Sequence, residues 1–144
     1  MRVTVFPWTL ILFVSPALAG HELENRDISA GQLLYSTHCA ACHGVDLEGQ
    51  PNWQTPNSDG TMPAPPHDET GHTWHHDNQL LFDYTRMGGQ EVLTALGVDS
   101  VKSGMPGFSD VMTDDDIWNV LAYIRSTWPD RVKEIQSMRN PPHQ

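Results

Sequence analysis

The sequence predicts an all-α domain of three to five short helices, with one long proline-rich loop between the first helix and the rest. Three observations carry this prediction. Apolar residues recur at helical spacing in separate segments, and two of these begin on side chains suited to capping, Asp27 and Thr113. Prolines and glycines crowd residues 44–73 and forbid a long regular element there. No alternating strand pattern runs for more than a few residues. At 144 residues and 38% hydrophobic content, the chain has material for one small domain rather than two.

Residues 1–19 read as a secretory signal peptide: Arg2, an apolar run from Val3 to Val14, then small residues at the cleavage positions of Ser15-Pro16-Ala17-Leu18-Ala19. The run is too short to span a bilayer comfortably and is interrupted by Pro7, so cleavage after Ala19 is expected rather than retention as an anchor. The mature domain is then 20–144. Removing Arg2 with the leader moves the net charge from −10 to −11 with histidine neutral. A charge this one-sided disfavours nucleic acid and anionic membrane surfaces and suits steering toward a basic patch on a partner.

Asp27 caps a helix carrying Ile28, Leu33, Leu34 and Tyr35. Gly31 and Tyr35 lie four apart on it, a gap followed by a ring, which lets another helix cross closely. Pro51, Pro56, Pro63, Pro65 and Pro66 then hold the chain in a loop, and a loop of this length in a small domain is usually functional. Asp77 to Met87 resumes helical spacing with Leu80, Leu81, Tyr84 and Met87 on one side and Gly88-Gly89 as the stop. Glu91 to Val98 adds a turn or two with Val92, Leu93 and Leu96 inward, until Ser103-Gly104-Met105-Pro106-Gly107-Phe108 breaks the chain. Thr113 followed by Asp114, Asp115 and Asp116 is a strong helix start, with the acids where the helix dipole favours them. Ile117, Val120, Leu121 and Ile124 form the apolar stripe of that helix, Trp118 and Tyr123 flank it, and Pro129 interrupts it. A short amphipathic tail helix is expected over 130–139.

The chemistry sits in Cys39-Ala40-Ala41-Cys42-His43, directly after the first helix. A Cys-x-x-Cys pair alone suits a thioredoxin-like redox centre or half of a zinc site, but these are the only two cysteines, and the adjoining histidine suits covalent attachment of a c-type haem. Cys39 and Cys42 each add to a vinyl group, and His43 is placed as an axial ligand of the iron. Met105 is the leading candidate for the opposite face, because Gly104 and Pro106 make a tight, stiff loop that presents a thioether, a ligand suited to electron transfer. Met62, followed by Pro63, is its rival; Met87 and Met112 read as packing residues, and Met138 lies in the tail.

Three stretches together resemble class I monohaem cytochromes c: residues 31–44 around the haem motif, 103–108 around Met105, and 116–124 in the last long helix. The resemblance implies a cytochrome c fold wrapped around one covalent haem c, with Cys39 and Cys42 as thioethers and His43 and Met105 on the iron. It also implies that the first and last helices cross at Gly31 and Tyr35 against the Val120 to Ile124 face. Two further roles follow from it: the Pro65 carbonyl holding the second ring nitrogen of His43, and the Trp74 indole donating to a haem propionate.

The expected function is a periplasmic one-electron carrier, not an enzyme, acting as a monomer on redox protein partners and meeting a membrane only through a partner complex. A cytochrome subunit or dedicated donor or acceptor of a dehydrogenase or oxidase would use the same chemistry with a fixed partner. A ligand-binding haem protein would need an open sixth position. The haem motif after the first helix disfavours the c-prime type, whose motif is near the C-terminus. The departure from the family pattern is His67, His72, His75 and His76 with Asp68, Glu69 and Asp77, which raises copper or zinc binding as an alternative to capping and solvated roles.

Overall fold

Asp27 accepts a hydrogen bond from the Ala30 amide at 2.9 Å and opens the first helix, α1 (Ile28–His38), in a computed structural model that describes residues 21–141. The leader, residues 1–19, lies outside the described residues. Cys39 closes α1 and starts α2 (Ala40–His43), a single turn holding the haem motif. After the proline-rich loop come a 3-10 turn (Thr73–His75), α3 (Asn78–Met87, capped by Asp77), α4 (Gly89–Ala95), α5 (Asp114–Ser126) and α6 (Asp130–Ser137). The all-α expectation holds, and the expected tail helix ends at Ser137. Six α-helical segments form among the described residues because the motif turn and the break at Gly88 each divide what would otherwise be longer pieces.

Two-residue strands are the sole sheet element among the described residues: β1 (Thr61–Met62) pairs in parallel with β2 (Lys102–Ser103). Small as it is, the pair ties the proline-rich loop to the approach of the Met105 loop, elements 41 residues apart in sequence.

Helices α1 and α5 cross at Gly31. A β-carbon there would stand 2.6 Å from the Asn119 carbonyl carbon and 3.0 Å from Tyr123 Cβ, so only the glycine hydrogen fits between the two helices. Tyr35, one turn on, is 1% exposed and packs against Tyr123 with ring centroids 5.5 Å apart. The stripe Ile117, Val120, Leu121 and Ile124 is buried beneath this crossing.

Not every apolar position turned inward. Leu33 is 68% exposed and Leu96 57%. In α3 the face against α5 is built from Phe82, which stacks on Trp118 at 4.4 Å, with Asn78 and Thr85 also buried. Leu81 and Tyr84, expected together on one side of this helix, line a cavity. The helix thus has two inward faces, one on α5 and one on the cavity, and a single-stripe reading merges them.

Candidate functional site

The haem motif is held from its own first helix. Tyr35 of α1 donates through its hydroxyl to the Gly44 carbonyl at 3.0 Å, and the Gly49 amide donates to the His43 carbonyl at 2.8 Å. These bonds fix the turn that carries Cys39, Cys42 and His43 against the start of the loop. His43 is 7% exposed, and its Nδ1 lies 2.9 Å from the Pro65 carbonyl oxygen. Burial lowers the His43 pKa while the Pro65 contact opposes it, so the ring is neutral near pH 7. A carbonyl can only accept, so Nδ1 carries the proton and Nε2 keeps its lone pair. Burial, aided by Cys42, pushes the Cys39 thiol up to about 11, whereas Cys42 is exposed.

These groups face a cavity of about 570 Å³. Cys39, Cys42, His43 and Pro65 line it together with Met105, Met62, Leu121 and Ile124, and no aspartate or glutamate does. The Met105 segment is seated by the break between α3 and α4. The Gly89 amide donates to the Met105 carbonyl at 3.0 Å, the Met105 amide donates to Ser103 Oγ at 3.2 Å, and the Phe108 amide donates to the Thr85 carbonyl at 3.0 Å. Gly88 has φ +96, and a β-carbon there would meet the Gly107 amide at 2.7 Å; the glycine therefore both ends α3 and admits the loop. The sequence reading found the stop at Gly88 and missed the docking.

Trp74 departs from its expected place. Its indole N–H donates to the Glu69 carbonyl at 3.2 Å, its ring meets His75 edge-on at 3.8 Å, and it is not among the cavity-lining residues. The cause is the 3-10 turn, which points Thr73 into the cavity and leaves Trp74 packed against the core elsewhere. Trp53 lines the cavity instead, and a third tryptophan, Trp128, donates to the His67 carbonyl at 2.7 Å and anchors the loop to the end of α5.

Three of the four clustered histidines, His67, His72 and His76, line the cavity. His67 stacks on His43 with centroids 4.0 Å apart, its Nδ1 is 2.9 Å from Thr73 Oγ1, and burial drives its pKa well below the ordinary value. His72 lies on Trp53, and His75 is exposed. Among the described residues no group of three or more His, Cys, Asp and Glu is placed to hold a metal ion.

The sequence model of one family, cytochrome c, matches residues 28–128. The chain belongs to the cytochrome c family. This cytochrome c carries a covalently bound c-type haem with iron, one for its one Cys-x-x-Cys-His motif, and is a haem-based electron carrier. No curated protein and no solved structure matches it.

The cavity fits that group. Its volume lies in the range of about 300–1,000 Å³ typical of cofactor sites, both thiols line it, and a neutral imidazole and a thioether are among its donors. Its lining has no carboxylate to repel an anionic macrocycle. The cytochrome has no described helix long and apolar enough to cross a membrane.

Proposed function

We propose that this cytochrome is an exported one-electron carrier in which His43 and Met105 ligate the haem iron from opposite sides. The bound haem supplies a one-electron couple between ferric and ferrous iron. His43 is supported as one ligand by the occupation of its Nδ1 by Pro65, which leaves Nε2 as the donor. Met105 is supported as the other by its backbone: its amide and its carbonyl are both hydrogen-bonded, to Ser103 and Gly89, which holds the residue's main chain at the cavity wall. Met62 lines the same cavity, but its strand register with Ser103 places it beside the Met105 loop as a neighbour. The observation that carries the reading is that two thiols, a neutral imidazole and a backbone-pinned thioether share one cavity.

The leader-like residues 1–19 support export to the periplasm, where the haem is attached. The charge of −11 left once the leader is removed supports docking on a basic patch of a redox partner, with an encounter rate that falls as salt rises. Nothing in this set of groups requires a second subunit, and we assign a monomer. An optical redox titration of the holoprotein tests the reading: a single reversible one-electron wave is expected. Met105→Ala should change the visible spectrum and lower the potential, because a thioether favours the ferrous iron. An unchanged spectrum and potential in that variant, or rapid carbon monoxide binding by the native ferrous protein, would reject methionine ligation.

A further inference from the structure

The chain has 18 acidic residues, yet none lines the cavity; its basic lining consists of His38, His43, His67, His72, His76 and Lys102. Most of these are engaged. His43 meets the Pro65 carbonyl, His67 meets Thr73, His38 packs edge-on against Phe108, and Lys102 Nζ donates to the Asp59 carbonyl at 3.4 Å. His72 differs. Its ring lies on Trp53 with centroids 5.3 Å apart and planes 15° apart, and it meets His76 edge-on at 5.4 Å. Its Nδ1 is fully covered and has no hydrogen-bond partner, the one such buried side-chain atom among the described residues.

That orphan decides the tautomer. A buried N–H without an acceptor is rarer and costlier than a buried lone pair without a donor. The proton therefore belongs on Nε2, the remaining polar atom of a ring that lines the cavity. Trp53 holds the ring plane, so the donor is fixed in direction. The haem brings two propionate carboxylates, and a carboxylate taken from water costs several kcal/mol unless donors meet it. Among the described residues no arginine lines the cavity.

We propose that His72, held flat by Trp53 and flanked by His76, seats a haem propionate, with its Nε2–H donating to a carboxylate oxygen. Trp53 acts as a positioning residue for that donor. This assignment takes the place expected for Trp74 and rests on the haem lying in the cavity above His43. A hydrogen bond to the propionate draws negative charge from the macrocycle and so favours the ferrous state.

The test is an optical redox titration of holoprotein variants, with resonance Raman spectra of the propionate bending modes. His72→Phe keeps the stack on Trp53 and removes the donor. It should shift the propionate band and lower the ferrous-to-ferric ratio at fixed ambient potential by up to about tenfold, equivalent to about 59 mV for one electron. His72→Gln, with an amide donor near the Nε2 position, should restore most of the shift. A reversible couple with unaltered axial-ligand bands, an unmoved potential and an unmoved propionate band in His72→Phe would overturn the seat while leaving the electron-carrier reading intact. NMR of the native ferrous protein labelled with ¹⁵N at histidine gives a variant-independent check. A slowly exchanging proton on His72 Nε2 with a cross-peak to the propionate methylenes is expected, and the Nδ1–H tautomer or no such cross-peak would overturn the proposal.

Discussion

Gly31→Ala sets two effects of opposite sign against each other at the helix crossing. In an exposed helix interior the change would stabilise by about 0.8–1 kcal/mol, because alanine has the better helix propensity. Here the new methyl carbon would sit 2.6 Å from the Asn119 carbonyl carbon, and it would also overlap the Asn119 carbonyl oxygen. Carbon atoms pack at about 3.5–4.0 Å, so α1 and α5 must separate by about 1 Å. The obstructing atoms are backbone and cannot swing aside as a rotamer would. Overpacking of this kind costs about 1–3 kcal/mol, and the upper part of that range is expected because the crossing also packs Tyr35 on Tyr123. Set against the propensity gain, the net loss is about 1–2 kcal/mol, or a fall in Tm of about 4–8 °C for a domain of this size. Thermal unfolding of the ferric holoprotein followed by circular dichroism measures it, with the exposed neighbour change Gln32→Ala expected to stay within about 0.5 kcal/mol of the parent. A Tm for Gly31→Ala equal to or above that of the parent would show that the two helices do not touch there.

Trp128→Phe removes the donor to the His67 carbonyl at 2.7 Å and should cost about 1–3 kcal/mol; denaturant unfolding measures the loss, and limited proteolysis should show faster cutting within the loop. Thr113→Ala breaks a capping box in which Thr113 and Asp116 satisfy one another, with an expected cost of about 1 kcal/mol in Tm-derived stability. The same box gives a pH dependence of known sign. Hydrogen bonds from the Thr113 side chain, then its backbone, hold the Asp116 carboxyl below its ordinary value of 3.8. Its contribution is therefore full above that value and is lost as pH falls through the lower, folded one. Asp116→Asn should destabilise at pH 7 and make little difference near pH 2, as read from the Tm gap between the two proteins at each pH.

Much of this architecture is written in short stretches of sequence because its causes are local. Asp27, Asp77 and Thr113 cap α1, α3 and α5 through side-chain bonds that span three residues, and the haem motif needs only five consecutive positions. Gly31 could be read as a crossing point for the same reason: a gap and a ring on one helical face are visible before the second helix is known. Leu33 and Leu96 misled because an apolar residue does not announce which face the rest of the chain will cover, and both stay exposed. Sequence alone does not tell Trp53, which lines the cavity, from Trp74, which does not, because tryptophans are chemically equivalent as donors. Which one reaches the cavity depends on the path of the loop, and that path is set by bonds such as Gln50 to Ala64 and the pairing of Thr61 with Lys102.

By itself the sequence determined the Cys-x-x-Cys-His motif, the helix starts, the proline-rich interruption and the excess of acid, since each depends on residue identity and near-neighbour spacing. Only the tertiary structure decided what meets across the cavity. It brought the Pro65 carbonyl to His43 from 22 residues away, pinned Met105 to Gly89, set His67 on His43 and His72 on Trp53 in the lining of one cavity, and kept every aspartate and glutamate side chain off that lining. Those outcomes depend on long-range packing and on hydrogen bonds between loops, where the free energy is shared among many weak contacts and no short segment carries it.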